Sequence, residues 1–444
     1  METQRRSVKI GLLGFGTVGS GTARLLIEES DSIAARTGIS LHLARICDRD
    51  ITTHRGFSVP SGVLTTDVRD ILDDPDIEIF VELIGGIEPA RGFILSAIER
   101  GKHVVTANKA LLATHGREIF DAAAEKGVMV GFEASVGGGI PVIKAVREGL
   151  VANRIHTLVG IMNGTSNYIL TRMSDEGLSF AEALLKAQAL GYAEADPTYD
   201  VAGIDTAHKL AILSSLAFGI PVGLEDILVE GITKISPVDI EFAREFGYAI
   251  KLLAMARNGD AGTELRVHPA MVRQDHLLAQ VKGAYNAFYL VGDAVGKVLL
   301  TGLGAGQMPT GSAVVADLVD IARVLAHGSV FPAPGGLSSG AGGRLRPIPV
   351  EDLRGRYYMR FSAIDQPGVL AGIAGVLGRQ GISIASVVQK GRGQGESVPI
   401  VMLTHEAREG AVIAALEMIN AMEVVTDETI LIRIVELGGL EGDS

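Results

Sequence analysis

Strands and helices alternate through the first part of this 444-residue chain, and that alternation restricts its fold more than any other feature. The apolar run Val8–Leu13 reads as a buried strand, followed by a glycine-rich turn and a helical pattern through Glu28. Further strands are predicted at about 41–46, 77–84, 103–106 and 128–132, with a helix at about 90–100. We therefore predict an α/β fold whose first domain, residues 1–132 completed by about 301–330, is a Rossmann-type doubly wound parallel sheet.

The glycine-rich turn has the pattern Gly-x-Gly-x-x-Gly, directly after a strand and at the start of a helix. In this position glycines allow a tight turn and a close approach of the backbone to a pyrophosphate, and the helix N-terminus adds partial positive charge. An ordinary strand–helix turn is the alternative. We predict that a dinucleotide cofactor contacts Gly14, Phe15, Gly16, Thr17, Val18 and Gly19.

The end of the second strand leaves the choice between NAD and NADP open. Asp48 would accept hydrogen bonds from a ribose 2′-hydroxyl, whereas Arg49 would pair with a 2′-phosphate. Asp48 follows Gly19 by 29 positions, more than the usual ~20. A helical extension around 28–38 accounts for the difference.

Composition excludes several classes of protein. The formal net charge is −12 and there is no long basic stripe, so nucleic acid is not an expected partner. The single cysteine, Cys47, cannot form an intrachain disulfide and fits a reducing compartment. The longest uncharged stretch, 298–316, is broken by glycines and Pro309, so no membrane partner is expected and the predicted location is cytoplasmic.

The rest of the chain divides into three predicted parts. Residues 133–300 are expected to form an α+β substrate-binding and dimerisation domain. Residues 331–353 are a Gly/Pro-rich linker, which predicts a compact C-terminal module joined by a flexible segment. That module, residues 354–436, has the ferredoxin-like order β-α-β-β-α-β. Its strands are predicted at about 356–363, 382–390, 397–404 and 424–433.

A segment rich in acids, Gly191–Lys209, is the strongest candidate for chemistry and is called here the acid–lysine segment. A helix is predicted from about Val201, which places Asp205 and Lys209 on one face. A lysine framed by acids can transfer a proton to a small polar substrate. The alternative is an ordinary i,i+4 ion pair on the surface.

Within this segment, Tyr-x-Glu-x-Asp-Pro followed by Gly-x-Asp-x-x-x-Lys resembles the substrate-binding and catalytic segment of homoserine dehydrogenases. The resemblance covers about residues 7–330. It implies NAD(P)-dependent interconversion of L-aspartate 4-semialdehyde and L-homoserine, in threonine, methionine and isoleucine biosynthesis. Lys209 would carry the proton and Asp205 would orient it. The implied substrate contacts are Glu194, Asp200, Tyr192, Asn163, Gly164 and Thr165.

Thr106-Ala107-Asn108-Lys109 stands at the C-terminal end of a predicted strand, where open α/β sheets bind ligands. Homoserine dehydrogenases carry a similar Asn-Lys, so the resemblance implies that Lys109 is a second active-site lysine. Two cations near one site favour the neutral form of each, which suits proton exchange. Thr106, Lys109 and Gly306 are also expected to contact the cofactor.

The same resemblance implies a monovalent cation site, for Na⁺, in the glycine-rich stretch that starts at Glu133. Main-chain carbonyls would supply most of its ligands, and oxygen suits a hard cation. The ligands carried over are Glu133, Val136, Gly138 and Ile140.

The C-terminal module resembles an ACT domain, a small regulatory module that binds amino acids. The resemblance rests on Asp365-Gln-Pro-Gly368-Val369-Leu370, followed by an apolar helix. It implies a regulatory amino acid, L-threonine, whose carboxylate would lie at the amides of the helix start. A homodimer or homotetramer is expected.

Two other functions are alternatives to homoserine dehydrogenase activity. A phosphorylating semialdehyde dehydrogenase needs a cysteine nucleophile, but Cys47 lies in the expected adenosine-ribose region. A non-catalytic nucleotide and amino-acid sensor is the remaining alternative, and it has no need of the acid–lysine segment.

Overall fold

The computed structural model describes residues 6–327, 337, 345–390 and 397–437. The strands, numbered in chain order, are β1 (Ser7–Leu13), β2 (Ser40–Cys47), β3 (Leu64–Thr65), β4 (Ile79–Glu82), β5 (His103–Thr106), β6 (Val130–Gly131), β7 (Ile155–Ile161), β8 (Leu228–Val229), β9 (Tyr248–Gly259), β10 (Gly262–Arg273), β11 (Tyr285–Gly292), β12 (Gly296–Leu303), β13 (Arg354–Ile364), β14 (Ile384–Gln389), β15 (Ser397–Thr404), β16 (Ala407–Arg408) and β17 (Ile430–Val435). The α-helices are α1 (Thr17–Glu28), α2 (Ser30–Thr37), α3 (Arg69–Leu72), α4 (Ala90–Glu99), α5 (Lys109–Lys126), α6 (Val142–Lys144), α7 (Gly164–Glu176), α8 (Phe180–Ala189), α9 (Thr198–Val201), α10 (Ile204–Phe218), α11 (Pro237–Glu245), α12 (Gln307–His327), α13 (Val369–Arg379) and α14 (Glu409–Asn420).

These elements form two compact units that are interleaved along the chain. The first unit takes the described residues of 1–164, 205–227 and 285–345. The second takes those of 165–204, 228–284 and 346–444. The sequence predicted one discontinuous domain, residues 1–132 completed by about 301–330, whereas each compact unit is made of three separate segments.

The first unit contains a six-stranded sheet in the order β3-β2-β1-β4-β5-β6, and its neighbouring strands pair in parallel. The chain order reverses between β1 and β4, the position at which open α/β sheets bind ligands. The predicted doubly wound parallel sheet is confirmed. Helix α2, which ends at Gly38 in a left-handed conformation, accounts for the long interval before β2.

Helix α12 returns to this sheet late in the chain and packs against α1. The two helices approach closely because glycines face each other: a Cβ on Gly21 would lie 2.2 Å from the carbonyl oxygen of Gln307, and one on Gly311 would lie 2.9 Å from Gly21. The Gln307 side chain also donates a 2.9 Å hydrogen bond to the Ser20 hydroxyl. The first unit further holds α10 and the antiparallel strands β7, β11 and β12.

The second unit contains strands in the order β9-β10-β17-β13-β15-β14. The last four form the sheet of the β-α-β-β-α-β module, and α13 and α14 pack on it through a core that includes Phe361, Ile373 and Val412. Strand β17 pairs in parallel with β10, from Ala270–Arg433 to Val272–Val435. The module is therefore hydrogen-bonded into the sheet of the preceding segment, a pairing that was not predicted from the sequence.

Ionic contacts reinforce that connection. The Arg433 guanidinium binds both carboxylate oxygens of Glu230, at 2.7 and 2.8 Å, and also pairs with buried Glu409. Asp239, which belongs to the Ser-x-x-Asp capping box of α11, accepts hydrogen bonds from Arg360 Nε at 2.7 Å and from the Tyr358 hydroxyl at 3.0 Å. Both ion pairs join the ferredoxin-like module to residues before 284.

Several predicted boundaries differ from the structure. The strands predicted at 77–84 and 128–132 are shorter, at Ile79–Glu82 and Val130–Gly131. The final strand lies at Ile430–Val435 and not at 424–433. Most of the predicted linker, 331–336 and 338–344, lies outside the described residues, and residues 346–348 hydrogen-bond to Thr263 of β10. No described helix is both long and apolar enough to cross a membrane.

Candidate active site

The helix of the acid–lysine segment begins later than predicted. Gly203, with a φ of +84°, separates the short helix α9 from α10, because its left-handed conformation ends one helix before the next begins. Asp205 lies in the first turn of α10 and Lys209 one turn further on, and Lys209 Nζ is 2.8 Å from Asp205 Oδ2. Lys209 Nζ also donates a 2.7 Å hydrogen bond to the carbonyl oxygen of Met162, directly after β7.

Asp205 is the centre of this cluster. Besides Lys209 it binds Lys109 Nζ at 3.0 Å through Oδ1 and accepts a 2.9 Å hydrogen bond from Asn163 Nδ2. Burial acts to raise the Asp205 pKa, but the two ammonium groups and the hydrogen bonds outweigh it and hold that pKa well below its usual range. The side chains of Asp205 and Lys209 are 7% and 10% exposed, so the interpretation as a surface ion pair is wrong.

The two lysines differ in their access to solvent. The Lys109 side chain is 39% exposed, and it begins α5, where Asn108 caps the helix by accepting a hydrogen bond from Leu111 N. One carboxylate therefore fixes two ammonium groups, one recessed and one accessible. The sequence pattern predicted the Asp205–Lys209 pair, and the family resemblance named Lys109 and Asn163 as site residues, but the bonds of both to Asp205 were not predicted.

Glu82, at the end of β4, is a buried acid that the sequence analysis missed. Its carboxylate accepts hydrogen bonds from the Thr106 hydroxyl at 2.7 Å and from the backbone N–H groups of Ile84 and Gly85 at 2.9 and 3.0 Å. These bonds fix the carboxyl ends of β4 and β5 relative to each other. The available signal was an acid at the end of an apolar run, before Gly85-Gly86.

The glycine-rich turn borders a cavity of about 790 Å³ at the switch point of the sheet. Gly14 has a φ of +100°, and a Cβ on Gly19 would lie 1.9 Å from the Gly14 carbonyl oxygen, whereas a Cβ on Gly16 would meet nothing within 4 Å. Two glycines are therefore required by the turn itself, and the third leaves its outer face open. That open face fits a dinucleotide pyrophosphate.

The second-strand residues lie on the same cavity, which Asp48 and Arg49 both line. Asp48 accepts hydrogen bonds from the backbone N–H groups of Phe15 and Asp50. Its carboxylate therefore supports the turn. Cys47 is buried, and burial with nearby acids raises the pKa of its thiol to about 11, which disfavours the nucleophilic thiolate.

Another group of predicted residues lies in the second unit, around the start of α7. The Thr165 hydroxyl donates a 2.6 Å hydrogen bond to the Tyr192 carbonyl oxygen, and the Ser166 hydroxyl donates one of 3.0 Å to the Asp200 carbonyl oxygen. These bonds hold the loop before α9 against the first turn of α7. Glu194 in that loop is exposed to solvent.

The carboxylate of Glu133 accepts hydrogen bonds from Ile143 N at 2.9 Å and Lys144 N at 2.7 Å, so it caps helix α6. Burial raises its pKa to about 7. The carbonyl oxygens of Glu133 and Ile140 accept from Val136 N and Val142 N respectively. Because both carboxylate oxygens of Glu133 are used in capping, a cation at this loop would be bound by main-chain oxygens.

Gly138 and Gly306 both have left-handed backbones, with φ of +56° and +131°. A Cβ on Gly138 would lie 2.4 Å from the Gly304 carbonyl oxygen, so the loop from Glu133 contacts the segment before α12.

In the ferredoxin-like module, Gly368 is the N-cap residue of α13 and has a φ of +94°, and Asp365 accepts a hydrogen bond from Gln389.

Comparisons with known proteins agree with this architecture. Family models match at residues 141–319 (homoserine dehydrogenase), 14–133 (homoserine dehydrogenase, NAD binding domain) and 357–418 (ACT domain). A homoserine dehydrogenase of Pseudomonas aeruginosa is 47% identical and covers 97% of this chain and 100% of its own length. The crystal structure of a homoserine dehydrogenase from Thiobacillus denitrificans is 48% identical, with a TM-score of 0.91 over 98% of this chain and 99% of that one. A hyperthermophilic archaeal homoserine dehydrogenase in complex with NADPH is 27% identical, with a TM-score of 0.61 over 74% of this chain and 99% of that one.

The sheet, its glycine-rich turn and the appended module define a nicotinamide-dependent dehydrogenase with an ACT domain. Identity of 47% over nearly the whole chain narrows this class to one family. The chain belongs to the homoserine dehydrogenases, and its reaction is the interconversion of L-aspartate 4-semialdehyde and L-homoserine. The resemblance noted in the sequence is confirmed.

Proposed function

We propose that this reaction takes place at the cluster of Lys209, Asp205 and Lys109, with Lys209 as the proton carrier. The observation that carries the proposal is the buried Asp205 carboxylate, which holds both ammonium groups within 3.0 Å. Formation of NADPH at 340 nm with L-homoserine and NADP⁺ tests the activity. A chain that binds both compounds without turnover would instead be a sensor.

The bound nicotinamide cofactor supplies or accepts the hydride. Lys209 donates a proton to the aldehyde oxygen during reduction, and its neutral amine takes the hydroxyl proton of homoserine during oxidation. Asp205 and the Met162 carbonyl hold the amine in a fixed direction, because both accept hydrogen bonds from Nζ. Lys109 supplies a second positive charge beside the same carboxylate.

The substrate's ammonium group would bind Glu194 and Asp200, with Tyr192, Asn163, Gly164 and Thr165 completing the pocket. Support comes from the hydrogen bonds that tie the loop of Tyr192 and Asp200 to the start of α7. A charge-neutral Glu194→Gln variant should raise the KM for homoserine and change kcat less. Unchanged KM would remove Glu194 from the substrate site.

Both NAD and NADP are proposed to bind, with a bias towards NADP. Arg49 lines the cavity beside the glycine-rich turn, while the Asp48 carboxylate already accepts two backbone hydrogen bonds. Guanidinium forms bidentate pairs with phosphate. The related archaeal homoserine dehydrogenase was solved in complex with NADPH, which supports the same choice here. Thr106, Lys109 and Gly306 are also proposed to contact the bound cofactor.

A monovalent cation, Na⁺, is proposed to bind the main-chain oxygens of Glu133, Val136, Gly138 and Ile140. Gly137 and Gly138 both have left-handed backbones, so this stretch is an irregular loop and not a strand, which supports a site built from main-chain oxygens. Replacing Na⁺ by a large organic cation at constant ionic strength should lower activity and melting temperature. Unchanged values for both would exclude the site.

The ACT domain is proposed to bind L-threonine at the start of α13, near Asp365, Gly368, Val369 and Leu370, and to inhibit the enzyme. Homoserine oxidation by the full-length protein should fall as threonine rises. Calorimetry with threonine, methionine, isoleucine and lysine identifies the ligand. An absence of heat with all four amino acids would leave the domain a structural role.

A homodimer or homotetramer is proposed, and light scattering tests it with and without threonine.

A further inference from the structure

A second cavity, of about 460 Å³, lies in the second unit, and none of the proposed site residues lines it. Its walls are α7, α11, the start of β9 and the segment 274–282. Three cationic side chains line it, Arg244, Lys251 and Lys282, against a single carboxylate, Asp175. That carboxylate is already paired with Lys282 at 2.8 Å.

Lys251 is the distinctive member of this wall because it is only 4% exposed. Its ammonium donates to the Val281 carbonyl at 2.5 Å and to the Asn167 side-chain oxygen at 3.2 Å, both of which are neutral. An ammonium group has three N–H donors, so these partners leave a third. Burial, with the nearby charge of Lys282, lowers the Lys251 pKa to about 8.

Among the described residues, neither Lys251 nor Arg244 forms an ion pair with a carboxylate, and only Lys282 of the three cations does so. Burying a charge without a counter-charge is costly, and an uncharged side chain could have satisfied two carbonyl-type acceptors without that cost. A charged residue at such a position, on the wall of a cavity, indicates that an anion from outside the chain supplies the missing counter-charge.

We propose that this cavity binds a small oxyanion, a carboxylate or a phosphate, between Lys251 and Arg244. The volume accepts a molecule the size of a dicarboxylate or of inorganic phosphate. Lys251 gives the ligand a buried charge and Arg244 a planar fork of donors. The occupant also lies close to the first turn of α7, because Asn167, the partner of Lys251, follows Ser166 in that turn.

Calorimetric titration of the full-length protein with inorganic phosphate and with succinate, in separate arms, tests this site. Saturating NADP⁺ is present throughout, so that the glycine-rich turn is already filled, and ionic strength is matched with a chloride salt. Millimolar or tighter binding of at least one anion is expected, and the arm that responds identifies phosphate or carboxylate as the ligand class. Failure of both anions to bind overturns the proposal.

Two variants and one control locate the binding. Arg244→Gln removes an exposed side chain and should fold normally, and Lys251→Met removes the buried charge. Each should weaken the anion about tenfold, as expected for a lost charge-assisted contact. Lys234→Met, which removes an exposed lysine paired with Glu428 in the same unit, should leave the affinity unchanged. An affinity that is equal in wild type and Arg244→Gln refutes the site even if Lys251→Met does not fold.

Discussion

Replacement of Lys209 by methionine separates proton transfer from binding. Methionine keeps the length and the apolar stem of the side chain but cannot exchange a proton. General acid–base groups contribute about 10²–10⁴ in rate, so kcat should fall by that factor, which raises the barrier by about 3–5 kcal/mol. The KM for homoserine should change much less, because Nζ is bonded to Asp205 and Met162.

The structure also sets the expected loss of stability. Without Lys209, the Asp205 carboxylate keeps Lys109 at 3.0 Å and Asn163 at 2.9 Å, so it is not left without partners. The cost should therefore be about 1–3 kcal/mol, as for one lost charged hydrogen bond, and less than the about 3–5 kcal/mol of a fully orphaned buried charge. The variant should fold, and a thermal melt checks this before kinetics.

The assay is absorbance at 340 nm with saturating homoserine and NADP⁺, and Lys109→Met is the matched control. It removes the other ammonium group from the same carboxylate, and we expect a smaller loss of turnover because Lys109 is proposed as a supporting charge. If Lys209→Met keeps more than a third of wild-type turnover, Lys209 is not the proton carrier. Loss confined to Lys109→Met would transfer that role to Lys109.

Three further changes test other parts of the molecule. Arg49→Ala should weaken NADP binding at least tenfold and leave NAD nearly unaffected, measured by fluorescence titration; an equal loss for both would exclude a 2′-phosphate contact. Because burial raises the Glu133 pKa from 4.5 to about 7, the folded state retains a proton that the unfolded chain releases. This carboxyl should therefore lose about 3 kcal/mol of stabilisation as pH rises from about 4.5 to 7, and Glu133→Gln should flatten the melting temperature across that window; an unchanged slope argues against the shift. Glu230→Gln should weaken the half-exposed ion pair with Arg433 by about 1 kcal/mol after solvent screening. It should reduce inhibition by threonine several-fold with little change in kcat. An unaltered threonine response would show that this ion pair does not couple the ACT domain to the active site.

Local periodicity explains which features the sequence could predict. The alternation of strand and helix, the glycine-rich turn and the i,i+4 pair of Asp205 and Lys209 each depend on residues within a few turns of one another. The bridge from Asp205 to Lys109 joins helices α10 and α5, which are far apart in the chain, so no local pattern predicts it. Glu82 was missed for the same reason, since its partner Thr106 is the end of another strand.

The pairing of β17 with β10 was also beyond a reading of local pattern. The linker composition predicted a flexible connection to the module, because composition indicates chain stiffness but does not show which strands pair. The parallel ladder at 270–272 and the Arg433–Glu230 pair belong to the folded chain alone. The predicted start of α10 was also too early, because Gly203 separates α9 from α10 within a continuous helical pattern.

The pairing of β10 with β17 has a consequence for synthesis on the ribosome. Translation delivers β10 well before residues 430–435, so the edge of β10 at Ala270–Val272 must wait for its parallel neighbour while the whole ferredoxin-like module is being made. An unpaired strand edge is a template for pairing with other chains, and non-local strand pairing forms slowly. Any nascent chain that stops before residue 430 is left with this edge open and with Glu230 lacking Arg433. The parallel ladder on β10 is therefore complete only when the last strand of the ACT domain has been made.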